Sequence, residues 1–189
     1  MVALTRRHEQ NERKRECDRM SYFLTSDRLG FRHWTEDDEV LAATLWKDAD
    51  VMRHMGGPYD DDGVRSRLAL EISRQKKFGF QYWPIFLLDT GEHVGCSGLR
   101  PFHDEEGVVE LGVHIARKFW SFRFGEEAAR AVINYAFQNV GANAIVAGHG
   151  PMNTNSKVLL HRLGFTFTHE EPWGERGILH PFYRLNRTP

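Results

Sequence analysis

The chain has 189 residues, of which 41% are apolar and 12% aromatic, and its 25 basic residues are nearly balanced by 26 acidic ones. This length and composition predict one compact domain with a sizeable buried core. Because the acidic and basic residues are interleaved, the charge pattern disfavours nucleic acid and anionic membranes as partners.

The cysteine and histidine patterns argue against disulfide and metal frameworks. Cys17 and Cys96 lie far apart in the sequence, without the spacing of a disulfide scaffold or a structural zinc site. The ten histidines show no HExxH or comparable ligand spacing, so we expect no metal. Residues 1–20 lack the apolar segment of a signal peptide, and the sequence contains no apolar run of membrane-spanning length. These features predict a cytoplasmic protein that does not contact a membrane.

The N-terminal end predicts a charged arm ahead of the domain. Residues 1–20 are polar and charge-rich, which favours a disordered arm, with a helix docked on a neighbouring subunit as the alternative. The arm's arginines and lysine could contact nucleic acid or a ribosome, but the acids between them disfavour this reading. Residues 21–189 are expected to form a single domain.

The first half of this domain predicts a strand, two helices and a hairpin. Thr35 followed by Asp38 is a typical helix cap, and Gly56-Gly57-Pro58 should interrupt the chain. The turn Asp89-Thr90-Gly91 should join two strands into a hairpin. The expected elements are a strand over Arg28–Trp34, a helix from Thr35 through Trp46, a helix over Asp61–Lys77, and strands over Phe80–Leu88 and Glu92–Leu99.

The second half predicts alternating strands and helices. After a turn at Glu105–Gly107, Val108–Ile115 alternates as a half-buried strand does, with Glu110, Gly112 and His114 on its polar face. Apolar residues then recur at helical spacing up to a stop at Gly141, namely Ala129, Val132, Ile133, Ala136, Phe137 and Val140. The remaining expected elements are strands over Ala144–Gly148, Phe165–His169 and Phe182–Arg187, and a helix over Asn153–Leu163 closed by Gly164.

Two motifs carry a family resemblance. The strand Glu110-Leu-Gly-Val-His-Ile115 leads into Trp120–Ala128, and Asn153-x-x-Ser156 leads into Leu163-Gly-Phe165. This arrangement resembles the GNAT superfamily, and in particular its ribosomal-protein N-acetyltransferase branch. The resemblance implies an α+β fold, an α/β sandwich in which helices flank a mixed, mostly antiparallel twisted sheet. It also implies transfer of acetyl from acetyl-CoA to a primary amine, either a protein N-terminus or a small molecule, by direct attack.

The resemblance further implies where acetyl-CoA binds. The cofactor should lie between two splayed central strands, with its pyrophosphate at the start of the helix after Gly125. Free N–H groups at a helix start form an anion site in any family, although an ordinary strand-to-helix turn would look the same in the sequence. The expected cofactor-binding residues are Val113, His114, Ile115, Ser121, Phe122, Arg123, Phe124, Gly125, Glu126, Asn153 and Ser156.

Arg123 departs from the family's phosphate loop, which usually has Gly or Ala at this position. Its side chain could turn outward and pair with a phosphate of CoA, or it could obstruct the loop. We favour retained binding, because an arginine readily adopts a helical φ and an added cation suits an anionic ligand.

The catalytic residues implied by the resemblance are Glu110 and Ser156. Glu110 corresponds to a general base of the family, and a partly apolar cleft could raise the pKa of its carboxyl group. His114 is the competing base, although a ligand or structural role suits it better. Ser156 should stabilise the leaving thiolate, because Leu160 occupies the position where many relatives carry a tyrosine proton donor. Cys96 lies in an apolar strand with no base nearby in the sequence, so an acyl-enzyme is not expected.

The acceptor and the oligomeric state stay open. The aromatic residues Trp34, Trp46, Tyr59, Tyr82, Trp83 and Trp173 are expected in the core or the cleft wall. Asp60, Asp61 and Asp62 could favour a cationic amine, but an acidic helix cap explains them equally well. Similar proteins are commonly homodimers. The rival function is a catalytically weak acyl-CoA-binding or regulatory module that kept the fold.

Overall fold

A computed structural model describes residues 21–188 of the chain except residues 104, 175 and 176. The arm expected over residues 1–20 lies outside these described residues. The described chain folds around a single eight-stranded sheet with the strand order β1-β2-β3-β4-β5-β6-β8-β7. The strands are β1 (Leu24–Thr25), β2 (Leu29–Phe31), β3 (Tyr82–Leu87), β4 (His93–Pro101), β5 (Val108–Ile115), β6 (Ala144–Gly148), β7 (Thr166–Trp173) and β8 (Ile178–Asn186).

Helices cover both faces of this sheet. They are α1 (Glu39–Trp46), α2 (Ala49–Met52), α3 (Asp61–Phe78), α4 (Phe124–Tyr135) and α5 (Thr154–Arg162), and α4 continues into a π-helical turn over Ala136–Val140. Short 3-10 turns over Glu36–Asp38 and Arg117–Phe122 precede α1 and α4. The α+β prediction is thus confirmed. None of the described helices is both long and apolar enough to cross a membrane.

Local sequence signals account for the helix ends. Thr35 and Asp38 form the predicted capping box ahead of α1, and the Asp60 side chain caps α3 by accepting a hydrogen bond from the Gly63 N–H at 2.8 Å. The π-helical turn after α4 ends at Gly141, whose φ of 76° is easily adopted by glycine. The predicted strand over Arg28–Trp34 is shortened to β2, and the short elements β1 and α2 were not predicted.

Two apolar layers place the sheet at the centre of the fold. One layer lies between α4 and the sheet and includes Trp83, Ile85, Val109, Leu111 and Val132. The other lies between α1, α3 and the opposite face and includes Trp46, Leu68, Tyr82 and Cys96. Successive residues of β3 therefore enter opposite layers, as the strand period requires.

The sheet opens at its centre, between β5 and β6. These two strands pair in parallel only from Val108 with Ala144 to Glu110 with Val146. Beyond that point β5 stays paired with β4 as far as Ile115, whereas β6 stays paired with β8 as far as Gly148. The strands diverge, and the peptide groups of β5 beyond Glu110 have no partner strand on the β6 side.

Candidate active site

A cavity of about 560 Å³ lies where β5 and β6 diverge. Its walls come from the second half of β5, the end of β6, the starts of α4 and α5, and the segment around α2. The residues that line it include Glu110–Ile115, Ala147–Gly150, Arg123, Gly125, Glu126, Asn153, Ser156, Asp50, Arg53, His54, Tyr59, Arg67, Arg100, Trp120, Trp173 and His180. A volume of this size is typical of small-molecule sites.

The structure brings most of the predicted site residues to this cavity. Those on its wall are Glu110, Val113, His114, Ile115, Arg123, Gly125, Glu126, Asn153 and Ser156. Three others lie elsewhere: Phe124 is buried in the core, Phe122 stacks on Phe124 with the ring centroids 5.6 Å apart, and Ser121 is exposed. The aromatic pair fixes the turn before α4, so these residues support the site from outside the cavity.

Arg123 occupies the start of α4 in an unexpected backbone conformation. Its φ of 62° is left-handed, whereas the sequence interpretation assumed the common helical range. The side chain is 68% exposed and lies 3.4 Å from Glu126, so it points outward and does not fill the turn. Arg130 and Arg162 also reach Glu126, at 3.0 and 3.9 Å. Three guanidinium groups thus surround one carboxylate beside a helix N-terminus, and this charge excess suits a phosphate-bearing ligand.

Glu110 enters the cavity as one half of an ion pair. Its two carboxylate oxygens accept hydrogen bonds from Arg100 Nε at 2.8 Å and Arg100 Nη2 at 2.6 Å. The two residues face each other across β4 and β5. The partly apolar surroundings expected for this carboxylate are therefore not what the structure shows.

His114 is buried on the same face of β5. Burial, followed by the charges of Arg67 and Arg100, lowers the pKa of His114 to about 3. The imidazole is therefore neutral near pH 7 but too weakly basic to hold a proton there, and the argument for it as the competing base, a pKa close to neutral, does not apply. Gly112, which lies between Glu110 and His114 on this strand, leaves room for the Tyr82 ring, since a Cβ on Gly112 would lie 2.2 Å from that ring.

The start of α5 presents Asn153 and Ser156 to the cavity. The Asn153 side chain accepts a hydrogen bond from the Ser156 N–H at 3.1 Å, which caps the helix. Ser156 is half-buried and lines the cavity, where a hydroxyl can serve as a proton donor. Leu160, one turn further on, is buried and supplies no proton.

The aromatic residues divide between core and cleft wall as expected. Trp34, Trp46 and Trp83 are buried in the core, whereas Tyr59 and Trp173 line the cavity. Cys96 is fully buried, and burial raises the pKa of its thiol above the ordinary value, so it packs rather than reacts.

The three aspartates at the start of α3 do not line the cavity. Asp60 caps the helix, Asp61 pairs with Lys47 at 2.6 Å, and Asp62 pairs with Arg65. The helix-cap interpretation is therefore the one that the structure supports.

Sequence reasoning missed a second group of polar residues on the cavity wall. The group consists of His54, His149 and His180. Burial, followed by the neighbouring Arg53 and His149, lowers the pKa of His54. Burial, followed by the neighbouring His149, lowers the pKa of His180. Arg67 of α3 also reaches the cavity. One signal was available for His149, since it directly follows the predicted strand over Ala144–Gly148 and ligand sites collect at strand ends.

Comparisons with known proteins agree with this geometry. Residues 28–166 match the family described as the acetyltransferase (GNAT) domain. A protein of Bacillus licheniformis named uncharacterized N-acetyltransferase p20 is 28% identical over 144 residues, which cover 75% of this chain and 81% of p20.

Solved structures show the same fold. YncA of Salmonella typhimurium, described as a putative acetyltransferase with its cofactor acetyl-CoA, is 22% identical with a TM-score of 0.65 over 84% of this chain and 93% of YncA. RimL, described as a ribosomal L7/L12 α-N-protein acetyltransferase, is 13% identical with a TM-score of 0.74 over 88% of this chain and 94% of RimL. At these identities the likeness establishes the fold alone.

Proposed function

The chain belongs to the GNAT acetyltransferase family and is an acetyl-CoA-dependent acetyltransferase, and from this premise we propose that it acetylates a primary amine by direct attack. The observation that carries the proposal is the continuous cavity between the diverging strands. It joins the cationic start of α4 to the polar face of β5. One ligand can therefore present its phosphates at one end and its thioester at the other.

The residues that line the cavity fit acetyl-CoA. The outward side chain of Arg123 leaves the helix N-terminus open, and the first N–H groups of a helix have no intrahelical partner. Arg123 and Arg162 add positive charge for the phosphate groups. The peptide groups of β5 beyond Glu110, which lack a partner strand on the β6 side, are available to the pantetheine and the acetyl carbonyl.

We assign the proton transfers to Glu110 and Ser156. The amine nitrogen attacks the thioester carbonyl, a C–N bond forms, and the C–S bond breaks. The Glu110 carboxylate takes the proton that the ammonium loses before attack. The Ser156 hydroxyl gives its proton to the departing thiolate and is reprotonated by the proton that the nitrogen releases as the amide forms. Arg100 fixes the position of the Glu110 carboxylate through two hydrogen bonds. A buried Cys96 leaves direct attack as the favoured route.

The first test is a calorimetric titration of the protein with acetyl-CoA, CoA and dephospho-CoA. We expect micromolar binding of acetyl-CoA and weaker binding of the dephospho form, because one phosphate contact is lost. A panel of peptide N-termini and small amines then tests turnover. Binding without acetyl transfer to any amine would contradict the proposal and support the acyl-CoA-binding module instead.

Two substitutions test the assigned roles. Glu110→Gln and Ser156→Ala should each lower kcat by about 100-fold or more if they remove a proton acceptor or donor. Glu105→Gln and Thr154→Ala are matched controls, because both residues are exposed and neither lines the cavity. Turnover that is unchanged in Glu110→Gln would remove Glu110 from the mechanism, and a fully active Ser156→Ala enzyme would do the same for the serine.

A further inference from the structure

A cluster of buried charges lies beneath the end of the cavity that is remote from the start of α4. We call it the buried charge cluster, and its members are Arg67, Glu71, Arg74, Arg100 and Glu110, whose side chains are 13%, 0%, 18%, 27% and 10% exposed. Glu71 lies 2.7 Å from Arg67 and 2.9 Å from Arg74, and it also accepts a hydrogen bond from the Tyr82 N–H at 2.9 Å. Three guanidinium groups thus share two carboxylates, which leaves one positive charge in excess.

This excess charge faces the cavity through Arg67. Arg67, Arg100 and Glu110 line the cavity, whereas Glu71 and Arg74 do not. Both oxygens of Glu110 are taken by Arg100. Among the residues described, Glu71 is the only carboxylate within 4.0 Å of Arg67, and it lies on the side away from the cavity.

The packing around Arg67 holds its guanidinium in place. The group lies 5.5 Å from the centroid of the Trp46 ring and 5.3 Å from that of Tyr82. Its Nε is buried and has no hydrogen-bond partner in the described part of the chain. Glu71 lies 2.7 Å from Nη2 of this guanidinium, and a second anion would complete its surroundings on the cavity side.

Neutral polar groups lie beside the Arg67 guanidinium. The His114 Nδ1 is buried without a hydrogen-bond partner among the described residues, and the low pKa of this imidazole keeps it uncharged near pH 7. The Tyr82 ring lies 5.8 Å from the His114 ring, and burial raises the pKa of Tyr82, so its hydroxyl keeps its proton. The third neighbour, Cys96, is likewise neutral. Within the described part of the chain, Glu71 and Glu110 are the carboxylates that pair with the three guanidinium groups of the cluster.

We propose that the acceptor is a small primary amine that carries a carboxylate, and that Arg67 binds this carboxylate. The inference rests on the proposed function and specifies its substrate class. Nη2 of Arg67 is held by Glu71, and the exposed remainder of the guanidinium can bind a second carboxylate through a charge-assisted hydrogen bond. Because one cavity of about 560 Å³ must also receive part of acetyl-CoA, the acceptor is of amino-acid size.

The experiment compares acids with their neutral amides. Wild-type protein is assayed for acetyl transfer to the twenty L-amino acids and to the corresponding L-amino-acid amides, with peptides bearing acidic and neutral N-terminal residues as a further arm. We expect at least one amino acid to exceed its amide in kcat/KM by about tenfold or more, as for a charge-assisted hydrogen bond. The pH is held high enough that both amines are largely deprotonated.

Variants then locate the effect. Arg67→Gln should remove most of the preference for the acid while leaving acetyl-CoA binding unchanged, and Arg67→Lys should keep part of it. Arg65→Gln is the matched control, because Arg65 lies on the same helix, is 51% exposed and does not line the cavity. This control should retain the wild-type preference.

The outcomes separate this inference from the proposed function. Acetylation of amides or of neutral peptides as fast as of acids would overturn the carboxylate site and leave the amine acetyltransferase intact. A preference confined to acidic peptides would overturn the small acceptor. If no amine is acetylated, the proposed function fails. Arg67 can still be tested by measuring the Tm of the CoA-loaded protein with N-acetyl-L-amino acids and with their amides. Equal thermal shifts from acids and amides would then overturn the site.

Discussion

Replacing Arg123 should separate its backbone conformation from its charge. A left-handed φ such as the 62° of Arg123 is unfavourable by about 1–2 kcal/mol for a residue with a Cβ, and glycine avoids this strain. Glycine also makes the unfolded chain more flexible, which offsets about 0.4–1 kcal/mol. Arg123→Gly should therefore be more stable than Arg123→Ala by about 1 kcal/mol, or roughly 2–4 °C in Tm.

The comparison with alanine is the informative one. Both variants lose the exposed ion pair with Glu126, so this loss cancels in the difference. Thermal unfolding of the two variants without ligand measures the strain, and titration with acetyl-CoA measures the charge. We expect both variants to bind acetyl-CoA more weakly than wild type and to similar degrees, with Arg123→Lys close to wild type. An alanine variant that melts at or above the glycine variant would refute the argument from strain.

Three further predictions concern stability. Asp38→Asn should lose about 1–3 kcal/mol at pH 7, because Asp38 accepts two hydrogen bonds from Arg32 at 2.7 Å. Although burial opposes its charge, the Arg32 contacts hold the pKa of Asp38 below its ordinary value. The difference in unfolding free energy between wild type and Asp38→Asn should therefore shrink as the pH of the denaturant titrations falls below that ordinary value. Gly98→Ala should destabilise by about 1–3 kcal/mol, since its Cβ would lie 1.9 Å from the Gln81 carbonyl oxygen; an unchanged Tm would contradict this. Burial lowers the pKa of His93 to about 4, so its contribution to stability is full above the unfolded value near 6.5 and declines towards pH 4 by about 1.4 kcal/mol per pH unit. His93→Phe should flatten that decline in urea titrations, and an equal slope in both proteins would count against the assignment.

Local patterns were sufficient to predict the elements that build the site. The alternation of Val108–Ile115 and the run of Ala144–Gly148 gave both central strands with their observed bounds, because each is short and ended by turn residues. The capping signal at Thr35 located the 3-10 turn that leads into the first helix, and Asn153 caps the last helix at the start predicted for it. Two motifs of this kind were enough to suggest the family.

Features that depend on dihedral angles or on distant chain segments were not predictable in the same way. The left-handed φ of Arg123 has no sequence signal, since arginine rarely adopts it. The acidic run Asp60–Asp62 could serve a ligand or a helix end, and only the position of α3 relative to the cavity decides between them. Composition and spacing are the same in either case.

The buried charge cluster shows where sequence reasoning stops. Its two halves differ in what could be foreseen. Arg67 and Glu71 are one helical turn apart, whereas the pairing of Arg100 with Glu110 depends on the β4–β5 register, which the turn predicted over Glu105–Gly107 does not fix. The α3 half carries an excess positive charge by itself, because Arg67 and Arg74 share Glu71 within one helix. Whether that charge faces a ligand depends on how α3 packs across the sheet, which places Arg67 on the wall of the cavity. The substrate class that we propose therefore depends on the contact between α3 and the central strands, and a change in that packing alone would alter the acceptor preference while leaving the cofactor end of the cavity intact.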